Sequence, residues 1–312
     1  MADTMRAAQI SEYGHADKVQ VAEIDRPLAG EGQVLVRVQA SSLNPFDTMV
    51  REGYVKDMIK SLPITLGGDI AGVIEEIGEG VENVKIGDVV YGQANVVAGN
   101  SGALAEYAAT KAEQVAVAPK NLEITDAASL PLVGVSALQA LTDHLGLRSN
   151  EKIFIHGGGG GIGSVAIQIA KHLGAYVATT ATGDDIAYVT DLGADEVIDY
   201  KSSDFSQNLH DYDAVFDTVG GDEFGKSLGI LKTGGTAVSM AADADEAKVK
   251  ELGVTAIHQF TKVTSKKLTE LTKLVEDGVV TTRVGKIFNL DDIQTAFEAR
   301  ESGTKGKIVI SL

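Results

Sequence analysis

Two sets of residues in this 312-residue chain are of types and spacings that do chemistry. The first is the glycine run Gly157 to Gly161, with Gly163 beyond it, inside KIFIHGGGGGIGSVAIQIAKHL. Ile153 to Ile155 before it read as a short buried strand. Ile162, Ala166, Ile169, Ala170 and Leu173 after it recur at helical spacing. In that strand–turn–helix setting Gly158, Gly160 and Gly163 fit G-x-G-x-x-G, the fingerprint of a dinucleotide site. One glycine permits the tight turn, one lets the backbone approach a pyrophosphate, and one lets helix and strand pack closely. The free N–H groups at Gly161, Ile162 and Gly163 and the positive end of the helix then hold the phosphates. Without the flanking strand and helix, the same run would read as a plain glycine-rich loop.

The second set lies in SSLNPFDTMVREGY. Asn44 before Pro45 can cap a helix, with proline at its first position. Asp47 and Arg51 then sit four apart on one helical face. They read either as substrate contacts or as a structural ion pair at a domain junction. Asp69 is a lone acid in an apolar strand, and a buried pairing role is expected of it.

Other chemistries are excluded by composition. There is no cysteine, hence no disulfide, thiolate zinc site or cysteine nucleophile. The six histidines are scattered, with no short-spaced metal pair. A net charge of −17 argues against binding to nucleic acid or an anionic membrane. It also means that an anionic cofactor must be held by backbone amides and a few well-placed bases. No apolar leader and no membrane-length apolar run is visible, so a cytoplasmic protein is expected.

The elements that must position these residues follow from pattern. Residues 5 to 40 alternate or are rich in β-branched side chains, punctuated by Pro27 and Gly30/Gly32. LPITLGGDIAGVIEEIGEGVENVKIGDVVYG continues as short strands between glycine turns, in the manner of a small β-barrel. From Leu122 the pattern turns helical, and strands then alternate with helices: KIFIH, YVATTA, EVIDY, AVFDTVG, GGTAVSM, GVTAIHQF. That is the rhythm of a doubly wound parallel sheet. The expected division is a first domain of residues 1–121 and 266–312 and a nucleotide domain of residues 122–265. Strand ends line the cofactor crevice in such sheets, which nominates Thr218, Val219, Ser239 and Met240.

Taken together the motifs resemble the medium-chain dehydrogenase/reductase superfamily, and within it the zinc-free quinone oxidoreductase (zeta-crystallin-like) branch. The resemblance covers nearly the whole chain. It rests on Asn44-x-x-Asp47-x-x-x-Arg51-x-Gly53, Gly67-Gly68-Asp69-x-x-Gly72, Gly102-x-x-Ala105-Glu106-Tyr107, the Leu130 to Leu141 stretch, HGGGGGIGSVAIQIAK and Gly306-Lys307. It implies a GroES-like β-barrel-type catalytic domain joined to a Rossmann domain, an α/β architecture. Zinc-dependent relatives carry a cysteine near Asn44, a histidine where Gly68 stands, and a four-cysteine lobe; none of these is present, and no metal is expected.

Carried over by residue, the resemblance gives Asn44 a contact to the nicotinamide ribose and places Val133 and Ser136 under the nicotinamide. Tyr54 is the candidate proton donor, although relatives have tyrosine at the position of Val55. No carboxylate stands at Thr180, Ala181 or Thr182, where the second strand ends, which favours NADPH over NADH. Tyr200 and Lys201 match a tyrosine–basic pair that helps hold a 2′-phosphate, while Asp184 and Asp185 would repel one. The expected activity is hydride transfer from NADPH to a quinone, the alternative an α,β-unsaturated carbonyl such as an enone or alkenal. Both acceptors are electron-poor and need only positioning and exclusion of water. A non-catalytic NADPH-binding protein, crystallin-like or RNA-binding, is the rival from another class. A homodimer is implied, with GVTAIHQF as an edge strand able to pair with its twin.

Overall fold

A computed structural model describes residues 3–312. The chain opens with strands β1 (Thr4–Ile10), β2 (Gln20–Asp25) and β3 (Gln33–Leu43), then helix α1 (Pro45–Glu52). Strands β4 (Ile64–Thr65), β5 (Asp69–Ile77), β6 (Val89–Gln93), β7 (Tyr107–Lys111) and β8 (Val115–Val117) follow, then helices α2 (Ile124–Ala128) and α3 (Pro131–Leu138). The middle alternates: β9 (Lys152–His156), α4 (Gly161–His172), β10 (Tyr176–Ala181), α5 (Asp185–Asp191), β11 (Glu196–Asp199), β12 (Tyr212–Asp217), α6 (Gly221–Leu228), β13 (Leu231–Ser239), α7 (Glu246–Leu252) and β14 (Thr255–His258). The chain closes with α8 (Ser265–Glu276), β15 (Val284–Asn289), α9 (Ile293–Glu301) and β16 (Lys307–Ser311).

Two compact units result. The first comprises the chain up to Leu132, Val263–Glu276 and Thr282–Leu312; the second comprises Val133–Lys262 and Asp277–Thr281. The first boundary lies beyond residue 121 because α2 packs on β3 and β5. The return is also less simple than one crossing. After α8 the chain re-enters the second unit, where Gln168 bonds the backbone N–H and carbonyl of Thr281.

The first unit is built on a mostly antiparallel sheet, β15-β16-β3-β5-β6-β8, with β7 also on β3. A small sheet, β2-β1-β4, adjoins it. β3 is the long central strand: its alternating valines face Ile70, Ile74, Val90 and Ala108 in one core cluster. A second cluster joins Leu43, Val50, Leu66 and Leu104 to Phe297 and Ile308 from the C-terminal segment. Burying that apolar surface is what binds the returning chain to the N-terminal part.

The second unit has a six-stranded parallel sheet, ordered β11-β10-β9-β12-β13-β14. The order reverses at β9, which lies between β10 and β12. At such a switch point an open α/β sheet leaves room for a ligand beyond the strand ends. The inner strands read as continuous apolar runs because both faces are covered. No described helix is long and apolar enough to cross a membrane.

Candidate active site

In the second unit the glycine loop occupies the turn between β9 and α4, at the switch point. Gly157 takes the left-handed conformation, φ 87°, one residue ahead of the fingerprint. A Cβ on Gly158 would lie 2.2 Å from Thr179 Oγ1, and one on Gly163 would lie 2.2 Å from the Gly157 carbonyl oxygen. Those two glycines are therefore demanded by the protein's own packing. Gly160 differs, for the nearest atom to its Cβ position is the Gly157 carbonyl oxygen at 3.3 Å. That contact is tight but needs a shift of only a few tenths of an ångström, so Gly160 is less constrained by the protein than Gly158 and Gly163, and the close approach of a pyrophosphate supplies a further reason for glycine there. The first helical bond is Ser164 N–H to the Gly160 carbonyl at 2.9 Å. The N–H groups of Gly161, Ile162 and Gly163 precede it and are the orphan donors of a helix start. The residues present thus fit a dinucleotide.

β10 anchors the loop. Thr180 Oγ1 accepts the Gly157 N–H at 3.0 Å and its carbonyl accepts the Gly158 N–H at 3.1 Å. Thr180 and Ala181 are buried, so of the three strand-end candidates only Thr182, half-buried, is left for a ribose. Thr180 braces the loop instead. Ala181 pairs with Asp199 across the β10–β11 register, which sets Thr182 beside Tyr200 and Lys201. Both of these are exposed. The Asp199 carboxylate accepts the Lys201 N–H at 3.0 Å and so fixes the turn that carries the lysine.

A set of residues without a sequence signature ties the other strand ends together. Asp217, wholly buried at the end of β12, accepts from Ser239 Oγ at 2.7 Å, from the Val219 N–H at 3.2 Å and from the Gly220 N–H at 3.1 Å. His156 Nδ1 lies 3.2 Å from it. Burial works against its charge, but the His156, Ser239 and backbone bonds win and hold its carboxyl below the usual range. Ser239 Oγ accepts the Ala241 and Ala242 N–H groups, and Thr218 Oγ1 donates to the His156 carbonyl at 2.7 Å. The strand-end nominees therefore divide. Val219 is exposed and Thr218 and Met240 half-buried, whereas Ser239 is buried and acts as a brace. Val133 and Ser136 are buried too, and Ser136 Oγ bonds Thr261 Oγ1 at 2.7 Å. The available signal was an aspartate ending the apolar strand AVFD, which a fold must pair.

The first unit holds a buried polar cluster. Asp69 accepts from Asn44 Nδ2 at 2.8 Å, Ser42 Oγ at 3.3 Å, Gln93 Nε2 at 3.4 Å and the Leu132 N–H at 3.1 Å. Lys307 Nζ donates to Asn44 Oδ1 at 2.5 Å and to the Leu43 carbonyl at 3.0 Å, and stands 3.9 Å from Asp69. Burial raises the Asp69 carboxyl and lowers the Lys307 ammonium, each opposed by its partner's charge. Asn44 is the N-cap of α1, and the Asp47 carboxylate accepts its N–H at 2.7 Å. Both polar atoms of the Asn44 side chain are thus engaged with Asp69 and Lys307. Lys307 was legible only as part of a motif; its partners lie more than 200 residues away, at |i−j| = 263 and 264.

The expected Asp47–Arg51 pair does not form. Arg51 is fully buried; its Nη1 bonds Glu301 at 2.7 Å, its Nη2 bonds Glu52 at 2.6 Å and its Nε bonds the Gly14 carbonyl at 3.0 Å. Its guanidinium also lies over the Phe297 ring at 5.0 Å. A buried cation needs such partners; α9 supplies Glu301 and Phe297, so Arg51 ties α1 to the C-terminal segment and has its donors committed within the protein rather than to a substrate. Tyr54 is 75% exposed and joins no part of the cluster.

Family models match in two stretches: an alcohol dehydrogenase GroES-like domain at residues 30–120 and a zinc-binding dehydrogenase at residues 192–310. A 2-methylene-furan-3-one reductase of Solanum lycopersicum is 34% identical over 98% of this chain and 79% of its own. A chloroplastic NADPH-dependent alkenal/one oxidoreductase of Arabidopsis thaliana is 36% identical over 76% of this chain and 62% of its own. Among solved structures, the quinone oxidoreductase from Coxiella burnetii is 33% identical, with a TM-score of 0.92 over 99% of this chain and 100% of that one. The chain belongs to the medium-chain dehydrogenase/reductase superfamily, among its quinone and alkenal oxidoreductases.

Proposed function

We propose that this member of the medium-chain dehydrogenase/reductase superfamily is a zinc-independent enzyme that reduces quinones with NADPH. The observation that carries the reading is the glycine cradle, closed by the protein at Gly158 and Gly163 and less crowded at Gly160. When bound, NADPH supplies a hydride from its nicotinamide ring. The chain's part is to hold and orient. The Gly161, Ile162 and Gly163 amides take the pyrophosphate at the start of α4. Thr182 and the exposed Lys201, with Tyr200, take the phosphorylated ribose, since β10 ends without the carboxylate that would favour NADH. The Asp217–His156–Ser239 set holds the loops after β12 and β13, with Thr218, Val219 and Met240, against the nicotinamide end. Asp47 and Tyr54 are the first unit's candidates toward substrate, while Asn44 spends both polar atoms of its side chain on Asp69 and Lys307.

Zinc independence is supported by the donor set. With no cysteine in the chain and glycine at position 68, the cysteine and histidine that zinc-dependent relatives place in these motifs are lacking. An electron-poor acceptor does not need a Lewis acid to be reduced. A second reading, reduction of enones or alkenals, is favoured by the furanone and alkenal/one reductases among the relatives. A homodimer paired through the outer edge of β14 belongs to the same account, and light scattering at micromolar concentration checks it; a monomer contradicts it.

The test is NADPH consumption with a panel of quinones and enones beside saturated alcohols with NADP+. Turnover of quinones is the expected outcome; turnover of enones alone selects the second reading. Oxidation of saturated alcohols, or cofactor binding with no turnover on any acceptor, overturns the proposal.

A further inference from the structure

Gly68, buried between β4 and β5, stands at a point ringed by polar atoms. A Cβ built on it would lie 3.7 Å from Asn95 Nδ2, 3.8 Å from Asp47 Oδ1 and 3.8 Å from Gln93 Nε2, and these are its three nearest neighbours. An oxygen resting in van der Waals contact with the Gly68 Cα must sit farther out than a bonded Cβ would, in the space that these three polar groups border. Their remaining bonds leave them available. Asn95 Oδ1 caps the turn after it by accepting the Val97 N–H at 2.9 Å, while its Nδ2 bonds nothing among the described residues. Asp47 uses Oδ2 for the Asn44 N–H, and its Oδ1 likewise bonds none of the described residues. Gln93 Nε2 has one long contact, 3.4 Å to Asp69, and a second N–H to give.

We propose that the space beside Gly68 is an oxyanion niche for the acceptor's carbonyl oxygen, with Asn95 and Gln93 as donors and the Asp47 carboxyl as proton donor. This rests on the reading of the acceptor as a carbonyl conjugated to a C=C bond. With NADPH bound as the hydride donor, reduction at the conjugated carbon would send the C=C electron pair toward the carbonyl oxygen. The two side-chain amides stabilise the charge that develops there. The O–H bond of Asp47 breaks as the O–H bond of the product enol forms, and solvent returns a proton to Asp47. Asp47 is suited to give that proton, since burial pushes it up to about 7, with Asp69 of β5 adding to the rise. The Asn44 N–H, Lys307 of β16 and Arg300 of α9 oppose that rise. Once ionised it would repel the incoming charge, so turnover falls as pH rises through that value.

Gly68→Ala is the sharpest test. Gly68 is not left-handed, and its added methyl would meet only ordinary van der Waals contacts, so the variant folds with the niche plugged. With 1,4-benzoquinone and methyl vinyl ketone as probes, its kcat/KM is expected to fall about 100-fold or more, the scale of a lost oxyanion contact. NADPH affinity, read by titration, stays as in the wild type. Asn95→Asp keeps the Val97 cap and removes the donor; kcat is expected to fall by about 10²–10³-fold. Asp47→Asn is expected to abolish the decline of kcat above pH 7. Unchanged turnover in Gly68→Ala and Asn95→Asp, or a decline that persists in Asp47→Asn, overturns the niche while leaving the function intact. A wild type that reduces neither probe overturns the functional reading and the niche with it.

Discussion

The glycine cradle and the buried polar cluster of the first unit are organised in opposite ways. The cradle is contiguous: Gly157 to Gly163 lie in one turn and the start of α4, and Gly157, Gly158 and Gly163 each answer to a neighbour less than 3 Å from where a Cβ would stand. The cluster is assembled from distant pieces, with Asn44, Asp47, Asp69, Gln93 and Lys307 brought from the end of β3, α1, β5, β6 and β16. A backbone requirement leaves a local trace in sequence, because only glycine meets it. A side-chain network leaves none, since each member is an ordinary polar residue until the fold supplies its partner. The difference also predicts distinct failures. Damage to the cradle acts through backbone geometry, whereas damage to the cluster strands a buried charge.

The largest effect is expected from Gly163→Val. Its Cβ meets backbone atoms at 2.2 and 2.8 Å, which cannot give way as a side-chain end could. A loss of about 4 kcal/mol or more is expected, confined to the second unit. Denaturant unfolding of the two units, followed separately, checks it; a variant as stable as the wild type would mean that the third glycine is not a packing requirement. Next comes Lys307→Met, which leaves Asp69 buried without its cation and should cost about 3–5 kcal/mol. Adding Asp69→Leu to that variant is expected to recover part of the loss. Strictly additive losses in the double-mutant cycle would show that the two groups are not energetically coupled. The smallest of the three is Lys201→Glu, on an exposed turn. Loss of a charge-assisted bond to the 2′-phosphate, about 1.5–3 kcal/mol, is expected to weaken NADPH binding and leave NADH binding unchanged. Equal weakening of both cofactors would remove the lysine from the 2′-phosphate site.

Much of the fold was legible because its rhythm is local. Alternating strands and helices between residues 152 and 258 pointed to the parallel sheet, and the glycine motif pointed to its switch point. The helical pattern of α2 was visible, but the surface it covers was not, and it packs with the first unit rather than the second. Arg51 shows the same limit at a site. Spacing of four residues correctly put Asp47 and Arg51 on one helix yet could not name the partner, Glu301, at |i−j| = 250. Thr180 and Ser239 stand at strand ends, as expected of cofactor contacts, but their hydroxyls turn inward to brace the loops. His156 and Asp217 escaped notice because neither has a characteristic spacing. Gln93 and Asn95 escaped because an amide at a strand end or just beyond it carries no signal until Gly68 is seen beside it.

The most direct measurement of the central claim is cofactor binding to Gly160→Val beside the wild type. At Gly160 a Cβ would meet a single protein atom, the Gly157 carbonyl oxygen at 3.3 Å, a contact that a shift of a few tenths of an ångström relieves. The wild type is expected to bind NADPH, and more tightly than NADH, by fluorescence titration. Gly160→Val is expected to keep the wild-type unfolding transition and lose NADPH affinity by at least about 100-fold, some 2.7 kcal/mol. A folded Gly160→Val protein that binds NADPH as the wild type does would contradict the assignment of this loop as the dinucleotide cradle.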